Sequence, residues 1–245
     1  MICRVMGIVN VTPDSFSDGG QFFRPEEAAR RAKNLIADGA DIIDLGGEST
    51  RPGATPVGWQ EEWARIEQVL SEVRVKCEEL RVKVSVDTYH PETAERAIKA
   101  GADIINCVYA EPVPEMIRVM YDAARDVELV VPYRLGEDVR RETEDASIGG
   151  RLYLDPMIGF GSTREEDIEL LRSIPELAKK GRVLVGASRK RIVKKLTGEK
   201  SVVGKNIGGN VAIAVWAAMN GASVVRVHDV KETVQALRVV EKLKG

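Results

Sequence analysis

One short pattern occurs three times along the chain. Asp38-Gly39-Ala40-Asp41-Ile42-Ile43-Asp44, Ala100-Gly101-Ala102-Asp103-Ile104-Ile105-Asn106 and Asn220-Gly221-Ala222-Ser223-Val224-Val225-Arg226 each read as a helix end, a glycine, a small residue and an apolar run. Glycine suits the position just past a helix, where the backbone turns left-handed. The apolar run is too short for a helix and fits a buried strand. The three glycines stand near multiples of about thirty residues apart, the size of one strand-plus-helix unit. A chain of 245 residues holds about eight such units, and eight of them close into a (β/α)8 barrel. An open doubly wound sheet is the other arrangement, but no G-x-G-x-x-G follows the first strand.

The rest of the chain follows the same alternation. Apolar runs at 5–9, 41–45, 83–87, 103–108, 128–133, 151–155, 182–187 and 223–227 predict eight strands. They are continuous rather than alternating, as strands buried on both faces should be. Helices are predicted over 25–38, within 58–80, and over 91–100, 114–125, 163–179, near 207–219 and over 231–244. A basic stretch, Arg189 to Lys195, leads into the helix near 207–219. Residues 135–150 carry almost no apolar stripe, so the helix between strands five and six is expected to be short or missing. The whole of 1–245 reads as a single barrel domain, thinly covered there.

Composition excludes several functions. A net charge of −2 gives no basic face for nucleic acid. No apolar run approaches the roughly 20 residues that span a bilayer. No secretory apolar segment precedes the first strand, so a cytoplasmic protein is expected. Cys3, Cys77 and Cys107 are scattered, without a C-x-x-C, and read as reduced thiols. His90 and His228 are the only histidines, which rules out a histidine-rich metal centre.

Chemistry is concentrated where strands end. The first strand stops at Asn10 and opens into Thr12, Pro13, Asp14, Ser15, Ser17, Asp18, Gly19 and Gly20. Pro13 bars a helix there by pushing Thr12 to extended geometry. In a barrel of this kind the strand C-termini share one rim, where active sites lie. That rim reads Asn10, Asp44, Asp87, Asn106, Tyr133 with Arg134, Asp155, Ser188 with Lys190, and Arg226 with His228. Each alone can be a cap or a turn residue; a full ring of them points to a site. Asp87, Asn106, Asp155 and Lys190 can read the edge of a flat heterocycle, a carboxylate accepting two parallel N–H groups. Arg51, Arg226 and His228 suit an oxyanion such as phosphate. Asn10 and Asp14 offer oxygens to a hard cation beside it.

The motifs that carry these residues resemble those of the dihydropteroate synthase family. Asn10 to Gly20 resembles its first signature and Asp44 to Gly53 its second. Ser85 to Thr88, Asp155 to Gly161, Gly186 to Lys190 and Arg226 to Val230 resemble further motifs, in family order. The resemblance covers nearly the whole chain. It implies a pterin-binding (β/α)8 barrel. Such a barrel is a transferase that joins 6-hydroxymethyl-7,8-dihydropterin pyrophosphate to p-aminobenzoate, giving dihydropteroate and pyrophosphate in folate biosynthesis. It implies that Asp87, Asn106, Asp155 and Lys190 bind the pterin, with Arg226 stacking on it. Asn10, Arg51, Arg226 and His228 would hold pyrophosphate, Asn10 also touching Mg2+. Thr50, Pro52, Phe160 and Ser188 would line the p-aminobenzoate pocket, and Asp14 and Phe16 would lie on a loop that closes late. A homodimer on the late helices is implied as well.

The chain departs from the family pattern on strands four to six. Cys107 follows Asn106 where the family has aspartate; Pro132-Tyr133 replaces Met-His; Met157 replaces glycine; and Gly161-Ser162 replaces Gly-Lys. The plain reading is drift at positions that touch no substrate. The sharper one is a related transferase using a different pterin or arylamine. A non-catalytic pterin-binding paralogue would predict decayed loops, whereas both signatures are complete.

Overall fold

The apolar run at 5–9 forms the buried middle of strand β1, Arg4–Asn10, in the computed structural model, with only its two ends half-buried. The structure describes residues 3–12, 25–49, 55–123, 125–133, 150–198 and 206–244. The other strands are β2 (Ile42–Gly46), β3 (Lys83–Asp87), β4 (Ile104–Asn106), β5 (Glu128–Pro132), β6 (Leu152–Asp155), β7 (Arg182–Val185) and β8 (Val224–Val227). They follow one another in chain order around a closed barrel. Pairing is parallel, as in β2 with β3 and β1 with β8. This is the (β/α)8 architecture expected from the repeated pattern. Gly39, Gly101 and Gly221 all sit at φ of 100–103°, the left-handed turn that the pattern required.

Among the described residues the helices are α1 (Pro25–Ala37), α2 (Trp59–Glu79), α3 (Pro91–Lys99), α4 (Val113–Asp122), α5 (Arg164–Arg172), α6 (Ile174–Ala178), α7 (Arg191–Thr197), α8 (Ile207–Met219) and α9 (Val230–Lys244). Two differ from expectation. The helix predicted over 163–179 breaks at Ser173, because Pro175 falls in the first turn of α6 and cannot continue α5. The basic stretch after Ser188 is itself a helix, α7, closed by Gly198 at φ 69°. None of the described helices is long and apolar enough to cross a membrane. The expected short helix over 135–150 falls almost wholly on residues 134–149, outside the described residues, as do Asp14, Phe16, Thr50, Arg51 and Pro52.

The backbone packs as two units: residues 8–37 with 41–131, and residues 1–7 with 38–40 and 132–245. In the first, α2 lies between α1 and α3 and fully buries Ile66, Val69, Leu70, Val73 and Cys77. Each such side chain contributes roughly 1.5–3 kcal/mol over exposure. In the second, α8 packs against α7 and α9.

Candidate active site

In the first unit, β2, β3 and β4 end level with one another. Gly46, Asp87 and Asn106 are their last residues, with Asp87 opposite both of the others in register. The side-chain amide of Asn106 is 2% exposed and donates to Asp44 Oδ2 at 3.5 Å. Its Oδ1 has no donor among the described residues. A buried amide oxygen left so costs about 1–3 kcal/mol, which an incoming N–H group would recover. Asp44 is not a rim residue. It lies two positions before the end of β2, fully buried, and supports Asn106 from below. Asn10 ends β1, half-buried, and the following Val11 N–H donates to Gly46 O at 2.7 Å.

A buried polar network fixes the segment that leaves β3. Glu62 of α2 is fully buried. Its Oε2 accepts from Thr88 Oγ1 at 2.7 Å and lies 3.1 Å from His90 Nδ1. The Thr88 N–H donates to Asn106 O at 3.1 Å. Tyr89 donates its hydroxyl proton to Glu48, and burial, with the Glu48 carboxylate second, pushes the phenol pKa up. Glu48, Glu62 and His90 are the group among the described residues whose ligand-type atoms converge, within 4.8 Å. Each of the three also bonds within the network, while Glu48 Oε2 and Glu62 Oε1 have no donor among the described residues.

In the second unit Asp155 ends β6 at 7% exposure. Its Oδ1 accepts from the Met157 N–H at 2.7 Å. Burial pushes its pKa up, while the charges of Lys190 and Arg226 and the Met157 bond act the other way. The Lys190 ammonium donates to Ile158 O at 2.6 Å and lies 4.3 Å from the centre of the Phe160 ring. Ser188 Oγ lies 3.1 Å from His228 Nδ1. Arg226 lies on β8, and a Cβ built at Gly186 of the neighbouring β7 exit would stand 3.8 Å from it. Asp155, Phe160, Ser188, Lys190, Arg226 and His228, picked out from sequence, therefore stand on neighbouring strand exits of this unit. They form a buried carboxylate, two cations, an aromatic face and a hydroxyl–imidazole pair.

Comparison with known proteins places this geometry. The sequence model of the pterin binding enzyme family matches residues 6–133 and 133–228. The dihydropteroate synthase of Neisseria meningitidis serogroup C is 40% identical, over 98% of this chain and 92% of its own length. Among solved structures, Xanthomonas albilineans dihydropteroate synthase with 4-aminobenzoic acid superposes with a TM-score of 0.88 at 38% identity, covering 99% of this chain and 93% of that one. The same enzyme in complex with 7,8-dihydropteroate gives 0.82 at 36% identity, covering 99% and 94%.

The chain belongs to the dihydropteroate synthase family. Its departures from the family pattern now have physical readings. Met157, which stands in the place of the family's glycine, has φ 61°. A side chain there costs on the order of 1 kcal/mol, offset by the bond from its N–H to Asp155. Tyr133 continues β5 through its N–H to Asp155 O, but its hydroxyl accepts from Lys180 Nζ at 2.5 Å. Lys180 lies beyond α6 and ahead of β7, so the phenol is engaged with that turn. Cys107 is 1% exposed, and its thiol donates to Tyr109 O at 3.2 Å. Burial pushes its pKa up to about 12, with the Asp87 charge adding to the effect.

These contacts favour drift over a changed substrate. Restoring the family residue with Cys107→Asp should bury a second carboxylate beside Asp87 and cost on the order of 2–4 kcal/mol of stability. Adding Tyr133→His should bring no gain in dihydropteroate formation. Denaturation and turnover of the double variant check this, and a faster double variant would restore the changed-substrate reading.

Sequence reasoning missed the residues behind the site. Glu62, Asp167, Asn210 and Asp229 are all buried and polar. Asp167 of α5 accepts from Gly159 N–H at 2.7 Å and from the Ser162 hydroxyl, which ties down the loop after Asp155. The available signal for Asp229 was its place next to His228. Glu62 and Asn210 have none, since acids and amides are ordinary in the first turn of a helix.

Proposed function

We propose that this chain is a dihydropteroate synthase acting on the standard pair of substrates. It joins the methylene carbon of 6-hydroxymethyl-7,8-dihydropterin pyrophosphate to the nitrogen of p-aminobenzoate and releases pyrophosphate. The observation that carries this reading is Asp155, a buried carboxylate whose charge two cations favour, within motifs that follow the family order. Asp155 would accept the paired N–H groups of the amino-pyrimidinone edge. Lys190 would donate to its carbonyl or ring nitrogen, and Asp87 and Asn106 would complete the edge, with Arg226 stacking on the ring. The arylamine would lie against Phe160 and Ser188 with Thr50 and Pro52, beneath the loop that carries Asp14 and Phe16.

Departure of pyrophosphate develops negative charge, and Arg51, Arg226, His228 and Asn10 are assigned to it. The pterin ring delocalises the positive charge left at the methylene carbon. The aniline nitrogen then attacks as a neutral nucleophile that needs little base, so positioning dominates and no covalent enzyme intermediate is required. Asn10 supplies a neutral hard oxygen, the donor type that fits Mg2+, and the ion when bound would add charge at the pyrophosphate oxygens. Mass spectrometry of the reaction should show one product in which the methylene carbon is bonded to the arylamine nitrogen. Free hydroxymethylpterin alone would overturn the reading.

We read residues 1–245 as one domain, because its strands complete a single barrel, and place it in the cytoplasm, where the buried thiols of Cys3, Cys77 and Cys107 stay reduced. A homodimer through α8 is supported by its uncharged sequence. Trp216 and Met219, neighbours on its outer face, are exposed at 51% and 52%, an apolar patch of the kind that marks an association surface. Trp216→Glu should convert the dimer to monomer in light scattering. A wild-type monomer, or a variant dimer of equal strength, would contradict this.

A further inference from the structure

Arg189 lies between Ser188 and Lys190 with φ of 59°, a left-handed conformation that a side-chain-bearing residue holds only under constraint. The constraint is local. The Arg189 N–H donates to Asn210 Oδ1 at 2.9 Å. Its guanidinium donates to Asp229 Oδ1 at 2.7 Å. Asn210 Nδ2 donates to Asp229 Oδ2 at 3.0 Å. Asn210 and Asp229 are 5% and 9% exposed. Three elements meet in this clasp: the turn after β7, the first turn of α8 and the residue after His228. Asp229 is also diverted from the ordinary capping role. Only its backbone carbonyl serves α9, accepting from Thr233 N–H and Oγ1 at 3.1 and 2.8 Å.

The peptide so fixed carries two site residues on either side. If Arg189 relaxed to negative φ, the directions of Ser188 and Lys190 would change together, because one backbone torsion orients both. Ser188 would leave His228, and Lys190 would leave Ile158 O and the Phe160 ring.

We propose that Asn210 and Asp229 are positioning residues of the synthase reaction. They hold Arg189 left-handed and thereby present Ser188 to the arylamine and Lys190 to the pterin. This rests on the roles given above to Ser188, Lys190 and His228. It assigns a joint effect on both binding sites to two residues whose side chains bond to Arg189 and to each other.

An exchange of partners tests it in the full-length enzyme. In Asp229→Asn, the new amide offers one oxygen to two donors, Arg189 and Asn210, and its own NH2 faces a donor. In Asn210→Asp, two carboxylates face each other across the 3.0 Å contact. The double exchange Asn210→Asp/Asp229→Asn restores every bond. The carboxylate now on α8 accepts from the Arg189 N–H. The amide now following His228 donates to that carboxylate while its oxygen accepts from the guanidinium.

Each single variant should raise KM for p-aminobenzoate and the calorimetric Kd for the pterin by about tenfold or more. The double should bring both to within about threefold of wild type. Asn210→Ala, which creates no new repulsion, should behave as the singles do, so the outcome does not depend on whether Asn210→Asp folds. A role in stability alone would lower Tm but leave KM and Kd of the folded fraction unchanged, and that result overturns the proposal. So does a double exchange no better than the singles. A wild-type enzyme that forms no dihydropteroate overturns the reading of the site and the clasp with it, whereas an active wild type with unaffected variants overturns the clasp alone.

Discussion

Asp155→Asn should lower pterin affinity by about 2–4 kcal/mol, because one acceptor of a paired contact becomes a donor facing a donor. The same change should raise the melting temperature of the free protein at neutral pH. Burial raises the Asp155 pKa, more than Lys190 and Arg226 restore it. A carboxyl with a raised folded pKa contributes its full stability below the unfolded value, near 3.9. That contribution is lost as pH rises through the folded value. The neutral amide escapes the loss, so its advantage in Tm should shrink as the solution is acidified through the carboxylate range. Calorimetry with the pterin and thermal melts across pH check both halves. Unchanged pterin affinity would remove Asp155 from the site. A lower Tm at neutral pH would mean that its cationic neighbours outweigh its burial.

Arg51→Ala should lower turnover by roughly 10²-fold or more, since a cation on the departing pyrophosphate acts chiefly in the transition state. Arg51 belongs to the second family signature, and its assignment comes from that motif. Steady-state kinetics separate the possibilities. A variant with normal kcat and only a raised KM would show that Arg51 holds the substrate without stabilising its departure.

The barrel was legible in the chain because its strands are buried on both faces, so each appears as a short unbroken apolar run. The left-handed glycines after three helices gave the repeat. Boundaries followed less well. The strand predicted at 103–108 is regular only over Ile104–Asn106, although the Cys107 N–H still donates to Val130 O of β5 at 3.0 Å. Pro175 was a visible break in the helix predicted over 163–179, and the apolar periodicity around it concealed the break. Of the site, the residues at strand ends could be read because the architecture puts strand ends where substrates bind. The sequence left the part played by Tyr133 open. Its position next to the strand end suggested the pocket, whereas its hydroxyl found Lys180, a partner 47 residues away that no local pattern reveals. The supports, Glu62 under Thr88 and Asn210 with Asp229 under Arg189, were invisible. They are polar residues whose meaning depends on partners brought together only by folding.

The strand-end residues are assigned to joining a pterin to an arylamine through loss of pyrophosphate. Pyrophosphate release from 6-hydroxymethyl-7,8-dihydropterin pyrophosphate, measured with and without p-aminobenzoate, tests it most directly. Release should depend on p-aminobenzoate, with one dihydropteroate formed for each pyrophosphate. Release at the same rate without the arylamine, or no release with both substrates and Mg2+ present, would contradict it.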